Sequence, residues 1–122
     1  MNWTAVGAIA MALGVAIGAF GAHGLQGRLD AYSMNIYERA VMYHFFHALG
    51  ILAVSLMPAG SGRNWVCWLL LAGIVLFSGS LYALALTGTR MLGAITPFGG
   101  VAFIAAWIVL AVTALRARPP AP

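Results

Sequence analysis

Hydrophobic residues form four long blocks along this chain, separated by short polar or glycine- and proline-containing breaks. The blocks cover about residues 3–22, 41–57, 65–86 and 97–115. Each is near the length that an α-helix needs to cross roughly 30 Å of hydrocarbon at about 1.5 Å of rise per residue. The pattern predicts an all-α fold, an integral membrane four-helix bundle with short loops.

The first break is the longest and the most polar. Its glycine-rich start, residues 21–27, ends the first span. The polar stretch that follows predicts either a short interfacial helix between spans 1 and 2 or a turn. In the second case the helical pattern of the second block extends back to Tyr32. Three residues have side chains suited to cap the new helix: Asp30, Ser33 or Asn35.

The remaining breaks are shorter. Pro58 and two glycines form the second, with Asn64 as a plausible cap of the third span. Thr96 followed by Pro97 is typical of a helix N-cap and first turn. The whole chain, residues 1–122, is then a single transmembrane domain, and residues 116–122 are a frayed tail.

Composition supports a bilayer environment. The chain is 63% hydrophobic and 7% charged, whereas a soluble domain carries about 25% charged residues. Its six basic residues are all arginines that stand singly or in pairs and form no patch, so we predict no nucleic-acid binding. Cys67 lies inside an apolar block, and we interpret it as a small buried hydrophobic residue.

Four spans place both termini on one side of the membrane. Three arginines fall on each side of such a bundle: Arg63, Arg116 and Arg118 on the terminal side, and Arg28, Arg39 and Arg90 on the other. Only the N-terminal amine and the two acidic residues tip this balance, towards cytoplasmic termini.

Residues 20–47 carry most of the chemistry. They hold all three histidines, both acidic residues and two of the six arginines. In a four-span bundle the first and third connections face the same side, so this stretch should meet Arg90 in one polar layer. We predict that a lipid or quinone site forms there from arginine, histidine and tyrosine side chains. Its candidate residues are His23, Arg28, Arg39, Tyr43, His47, Tyr82 and Arg90.

Other interpretations of the same layer stay open. His23, His44 and His47 could meet as a metal site, although their spacing matches no strong motif. A haem ligand is a further option, and a polar anchor without ligand is the simplest one. We predict no cofactor. The chain has no nucleophile, zinc-protease or phosphate-loop motif, so we expect a non-enzymatic protein.

Two features predict how the helices pack. Gly14 and Gly18 form a small-residue motif that suits close helix packing within the chain, or otherwise dimerisation. Ser78 and Tyr82 lie one turn apart in the third span, where we expect them to make hydrogen bonds between helices.

Four sequence blocks suggest a family. They are GAFGAHGL at 18–25, YHFFHALGIL at 43–52, LFSGSLYALALTG at 76–88 and ITPFGG at 95–100. Together they resemble the YgdD/YwdK-like small membrane proteins, a family of unknown function with bacterial members and a mitochondrial relative in animals. The resemblance implies a four-helix protein of the bacterial inner membrane, and it carries over no catalytic residues. It singles out His23, His44, His47, Ser78, Tyr82, Arg90, Thr96 and Pro97.

The sequence as a whole predicts a multi-pass membrane protein that acts through lipid, quinone or partner contacts at a one-sided polar layer. A role in membrane or envelope integrity fits that prediction. We expect membrane lipids as partners, together with a second copy of the chain or another membrane protein. A metal- or haem-binding redox accessory and a small oligomeric transporter are the alternatives.

Overall fold

The computed structural model describes residues 1–119 and 121–122. These residues form five α-helices. They are α1 (Trp3–Phe20), α2 (Ala31–Ser55), α3 (Ser61–Gly73), α4 (Gly79–Thr87) and α5 (Thr96–Arg116). A π-helical turn, Gly21–Leu25, extends α1, and a second one, Ile74–Ser78, joins α3 to α4. A short 3-10 helix, Arg90–Ala94, precedes α5. The described residues contain no β-strand, which confirms the all-α prediction.

These elements form four helical rods that run up and down. The rods are α1 with its π-helical turn, α2, α3 continued by α4, and the 3-10 helix continued by α5. At one end, the Trp3 indole N–H donates to the side-chain oxygen of Asn64 over 3.0 Å, which joins the beginning of α1 to the first turn of α3. At the other end, Leu25, Tyr37 and Ala85 share one hydrophobic cluster. The first connection and the C-terminal end of α4 therefore lie at the same end of the bundle, as the polar-layer prediction requires.

Three of the rods are long and apolar enough to cross a membrane: Trp3–Leu25, Ser61–Thr87 and Arg90–Arg116. The rod formed by α2 has 25 residues, roughly 37 Å at the usual helical rise. Because α2 contains several polar residues, it is not among the three rods that are apolar enough to cross a membrane. The four-span arrangement and its limits stay a prediction.

The polar stretch before the second block is the beginning of α2. Asp30 caps this helix, because its side-chain oxygen accepts from the backbone N–H of Ser33 over 2.7 Å. The described residues between α1 and α2 hold no separate interfacial helix, because Asp30 starts a helix that continues without a break to Ser55. Of the two predicted alternatives, the short interfacial helix is therefore wrong. The turn and the extension of α2 towards Tyr32 are confirmed.

Close packing between α1 and α2 depends on glycine. A methyl group at Gly14 would lie 3.1 Å from a Phe45 ring carbon, and one at Gly18 would lie 3.3 Å from Val41. The Gly14–Gly18 motif therefore packs within the chain, which is the first of its two predicted uses. Asn64 also differs from its predicted role. It accepts from Trp3, while α3 begins three residues earlier at Ser61.

Candidate functional site

His44 is buried on α2 and connects three helices. Its Nε2 lies 2.8 Å from the carbonyl oxygen of Ala10 on α1, and its Nδ1 lies 2.9 Å from the Tyr82 hydroxyl on α4. A carbonyl oxygen can only accept, so Nε2 carries the proton and Nδ1 accepts from the tyrosine O–H. Both ring nitrogens are therefore used, and the neutral imidazole is fully satisfied in the bundle interior.

His47 lies about one turn further along α2 and points towards α5. Its Nδ1 donates to the backbone carbonyl of Tyr43 over 2.7 Å, and its Nε2 accepts from the Trp107 indole N–H over 3.2 Å. Its ring stacks on Phe103 with 3.5 Å between ring centroids. The two buried histidines thus hold opposite tautomers, because each faces a different set of partners.

Hydroxyl groups complete the interior polar set. Ser78 donates to the Ala40 carbonyl over 2.8 Å, which joins the π-helical turn to α2. With the bond from Tyr82 to His44, this confirms both predicted interhelical hydrogen bonds of the third span. Ser80 and the Thr96 hydroxyl lie 2.6 Å apart. Thr96 therefore connects helices, whereas the sequence predicted that it would cap one.

The polar end of the bundle has the opposite character. His23, Arg28, Arg39 and Arg90 are all exposed there. The Arg39 guanidinium donates to the Asn35 side-chain oxygen at 3.5 Å, a long hydrogen bond that holds the side chain weakly. Outside the spans, the Ser33 N–H holds the pKa of the Asp30 carboxyl below its ordinary value. This end presents charge to its surroundings.

The seven predicted ligand residues thus divide into two groups. Tyr43, His47 and Tyr82 are buried or half-buried, and the interior bonds described above use both His47 ring nitrogens and the Tyr82 hydroxyl. The exposed group contains His23, Arg28, Arg39 and Arg90. Their role in ligand binding stays a prediction.

The three histidines of the metal alternative have three different surroundings. Both ring nitrogens of His44 and of His47 face protein partners, and His23 is exposed on the π-helical turn. Across residues 1–119 and 121–122, no group of three His, Cys, Asp or Glu side chains is placed to hold a metal ion. In this arrangement the three side chains do not converge on one point.

Two depressions open near the polar end. The first, about 150 Å³, lies between α1 and α2, and its walls include Gly21, Ala22, Tyr37 and Glu38. The second, about 220 Å³, is lined by Asn35, Glu38, Arg39 and Met42. Glu38 contributes to both, so the depressions are neighbours on the outer surface of α2. Glu38 and Arg39 both line the second depression, so an acidic and a basic residue contribute to its wall.

Sequence reasoning missed two residues that organise the interior. Trp107 was assigned no role, yet its N–H fixes the tautomer of His47. Tyr37 is buried and its hydroxyl donates to the Ile17 carbonyl of α1. Tyr37 lies three residues before Ala40 and seven before His44, which are also buried, so helical periodicity places the three on one face. No comparable local signal marks Trp107 in a helix that is apolar on every side.

The fold and the polar end together define a small helical membrane protein. The model of the family "Protein of unknown function (DUF423)" matches residues 17–100. A UPF0382 membrane protein of Staphylococcus epidermidis is 50% identical over 113 residues, covering 91% of this chain and 93% of the relative. YwdK of Bacillus subtilis, also a UPF0382 membrane protein, is 48% identical over 115 residues, with 91% and 94% covered. No solved structure matches.

The chain belongs to this DUF423 family of membrane proteins, whose function is not established. The resemblance to YwdK-like proteins is confirmed. The match covers the first π-helical turn, all of α2 to α4 and the beginning of α5. It therefore includes the buried histidines and the polar end.

Proposed function

We propose that this chain is a non-enzymatic, multi-pass protein of the bacterial cytoplasmic membrane whose polar end binds lipid headgroups. One observation carries the proposal: the buried histidines and serines of the bundle interior are hydrogen-bonded within the protein, whereas the arginines at the polar end are exposed. Exposed arginine at the headgroup level attracts phosphate, since each basic residue near an anionic surface contributes about 1 kcal/mol. Contacts of this kind would support membrane or envelope integrity.

The interior favours a structural role over the alternatives. A haem or metal ligand needs a histidine nitrogen that is not already bonded, and the four ring nitrogens of His44 and His47 all have protein partners. A quinone headgroup needs the same donors and acceptors. A transport path needs polar groups that can exchange partners, and His44 is held from two sides. The exposed end is therefore the better candidate for contact with a small molecule.

Orientation adds to the proposal. Arg28, Arg39 and Arg90 lie at one end of the bundle, and Arg116 and Arg118 lie at the other. Cytoplasmic termini would then place the proposed headgroup site on the outer face of the membrane. A cysteine introduced at Gln26, in a variant in which Cys67 is replaced, would react with an impermeant maleimide added outside the cell. Labelling only after lysis would contradict this orientation.

A matched pair of double variants tests the headgroup site. Arg28→Gln/Arg90→Gln removes two charges from the polar end, and Arg116→Gln/Arg118→Gln removes two from the opposite end. Native mass spectrometry in mild detergent measures the phosphatidylglycerol that stays bound. We expect the first variant to lose retention about thirtyfold, because two contributions of about 1 kcal/mol are removed, and the second to resemble the unmodified protein.

Two results would contradict the proposal. An equal loss in both variants would mean that net charge alone attracts the lipid. Full retention in both would mean that the arginines make no contact with it. Thermal unfolding of each variant should match that of the unmodified protein, because all four arginines are exposed.

A further inference from the structure

The shared position of Glu38 between the two depressions has chemical consequences. The depression between α1 and α2 has room for about five water volumes, given its size of about 150 Å³. That space admits a small polar group. It exists because Gly18, Gly21 and Ala22 on the α1 side carry little or no side chain.

The two depressions differ in charge, because Glu38 lines both of them and Arg39 lines only the second. Glu38 offers a carboxylate to the first depression, whose wall also includes the Tyr37 ring. Arg39 offers guanidinium N–H donors to the second. A carboxylate accepts hydrogen bonds from a primary ammonium group. A guanidinium binds phosphate through parallel N–H bonds.

The depression between α1 and α2, called the α1–α2 groove below, lies where a lipid is a more suitable ligand than a soluble molecule. Helix α1 packs mainly against α2, so its other faces are open where the bilayer would lie. Its exposed residues include Ile9, Leu13, Val15 and Phe20. Acyl chains would cover this apolar surface while the headgroup reached the depressions above it.

We infer that the α1–α2 groove binds the headgroup of an aminophospholipid, with its primary ammonium on Glu38 in the smaller depression and its phosphate on Arg39. The two groups of such a headgroup are joined by a short carbon linker, which matches two depressions that share a wall. This inference rests on the proposed function, because it names the lipid class at the same polar end. It adds Glu38, Tyr37 and the space beside Ala22 to the site.

The test compares phosphatidylethanolamine with phosphatidylcholine of the same acyl chains. Both carry the phosphate, but the trimethylated ammonium of choline is larger and has no N–H to donate. Native mass spectrometry of the full chain with an equimolar mixture gives the ratio of the two bound lipids. We expect a preference of about fivefold for phosphatidylethanolamine, the size of one partly exposed charged hydrogen bond.

Three variants locate the preference. Glu38→Gln keeps the size of the side chain, removes the charge and should bring the ratio to about one. Asp30→Asn is its matched control, since it removes the other acidic charge at the same end, lies outside both depressions and preserves a good helix cap. It should leave the ratio unchanged. Ala22→Leu fills the smaller depression without altering charge, and should also abolish the preference.

The outcomes separate this inference from the proposed function. A ratio of one in the unmodified protein, or a preference that survives both Glu38→Gln and Ala22→Leu, overturns the aminophospholipid site. The arginine-dependent retention of phosphatidylglycerol would stand in either case. Failure of the unmodified protein to retain any of the three phospholipids would overturn both proposals together.

Discussion

His23 and His44 are the same residue type on neighbouring helices, and the fold uses them in opposite ways. His44 is 4% exposed and bonded at both ring nitrogens, whereas His23 is exposed on the π-helical turn that ends α1. The difference comes from depth in the bundle. In the interior a polar group must be satisfied by protein, because lipid offers no partner. At the end, water and headgroups supply the partners.

The comparison distinguishes polar side chains that stabilise the fold from polar side chains that are free to contact other molecules. Buried histidines, serines and tyrosines hold helices together and have few bonding positions left for a ligand. Exposed arginines contribute little to the fold, since surface charges are weakly coupled to stability, and remain accessible to lipid. Substitutions in the two regions should therefore change different measurements.

The largest effect is expected for His44→Ala. It leaves the Ala10 carbonyl and the Tyr82 hydroxyl without their partner and opens a cavity, so the free energy of unfolding should fall by about 3 kcal/mol. Denaturant unfolding in detergent micelles measures it. His23→Ala, the matched control on the exposed π-helical turn, should change stability by less than about 0.5 kcal/mol. Equal losses would remove the distinction between the two regions.

A smaller effect is expected for Tyr82→Phe. The ring keeps its packing against Tyr37 and only the bond to His44 is lost, so we expect a loss of about 1 kcal/mol. Tyr32→Phe is the control, because Tyr32 is 63% exposed and should show almost no change. The double variant with His44→Ala should lose less than the sum of the single losses, since both act on one hydrogen bond. Strict additivity would argue against the bond.

The smallest effect concerns pH at the polar end. The pKa of Asp30 is lowered from its ordinary value of 3.8, chiefly because the Ser33 N–H bonds the charged carboxylate. A lowered folded pKa means that this cap stabilises α2 above the ordinary value, and that the contribution disappears as pH falls through the folded pKa. Thermal unfolding followed by circular dichroism between pH 6 and about pH 2 measures it. Asp30→Asn should flatten this part of the profile, and an unchanged profile would contradict the cap.

Much of the fold could be predicted from local patterns. Apolar length predicted four rods, and the membrane class follows from the low charge content. Glycine at 14 and 18 indicated close helix packing, and Ser78 with Tyr82 indicated interhelical bonds. Each of these signals lies within one or two turns of sequence, where helix geometry alone decides what shares a face.

The candidate site was only partly predictable. Clustering of polar residues at one end followed from the order of the spans, but the sequence treated Tyr43, His47 and Tyr82 as part of the same site as the arginines. Depth separates them, and depth depends on how far α2 extends. Asp30 starts this helix well before the second apolar block, so its polar residues run from Arg39 at the exposed end to His47 in the interior.

By itself, the sequence determined the helical class, the approximate positions of the rods and the end of the bundle that carries both acidic residues, because hydropathy and helical period are local properties. Only the tertiary structure decided which histidine is buried, which tautomer each holds, and where Glu38 and Arg39 flank a depression. Those outcomes depend on contacts between residues 34 to 60 positions apart, such as Ala10 with His44 and His47 with Trp107. Such contacts are determined by packing among all four rods. Packing of this kind produces no pattern within a short stretch of sequence from which the contacts could be predicted.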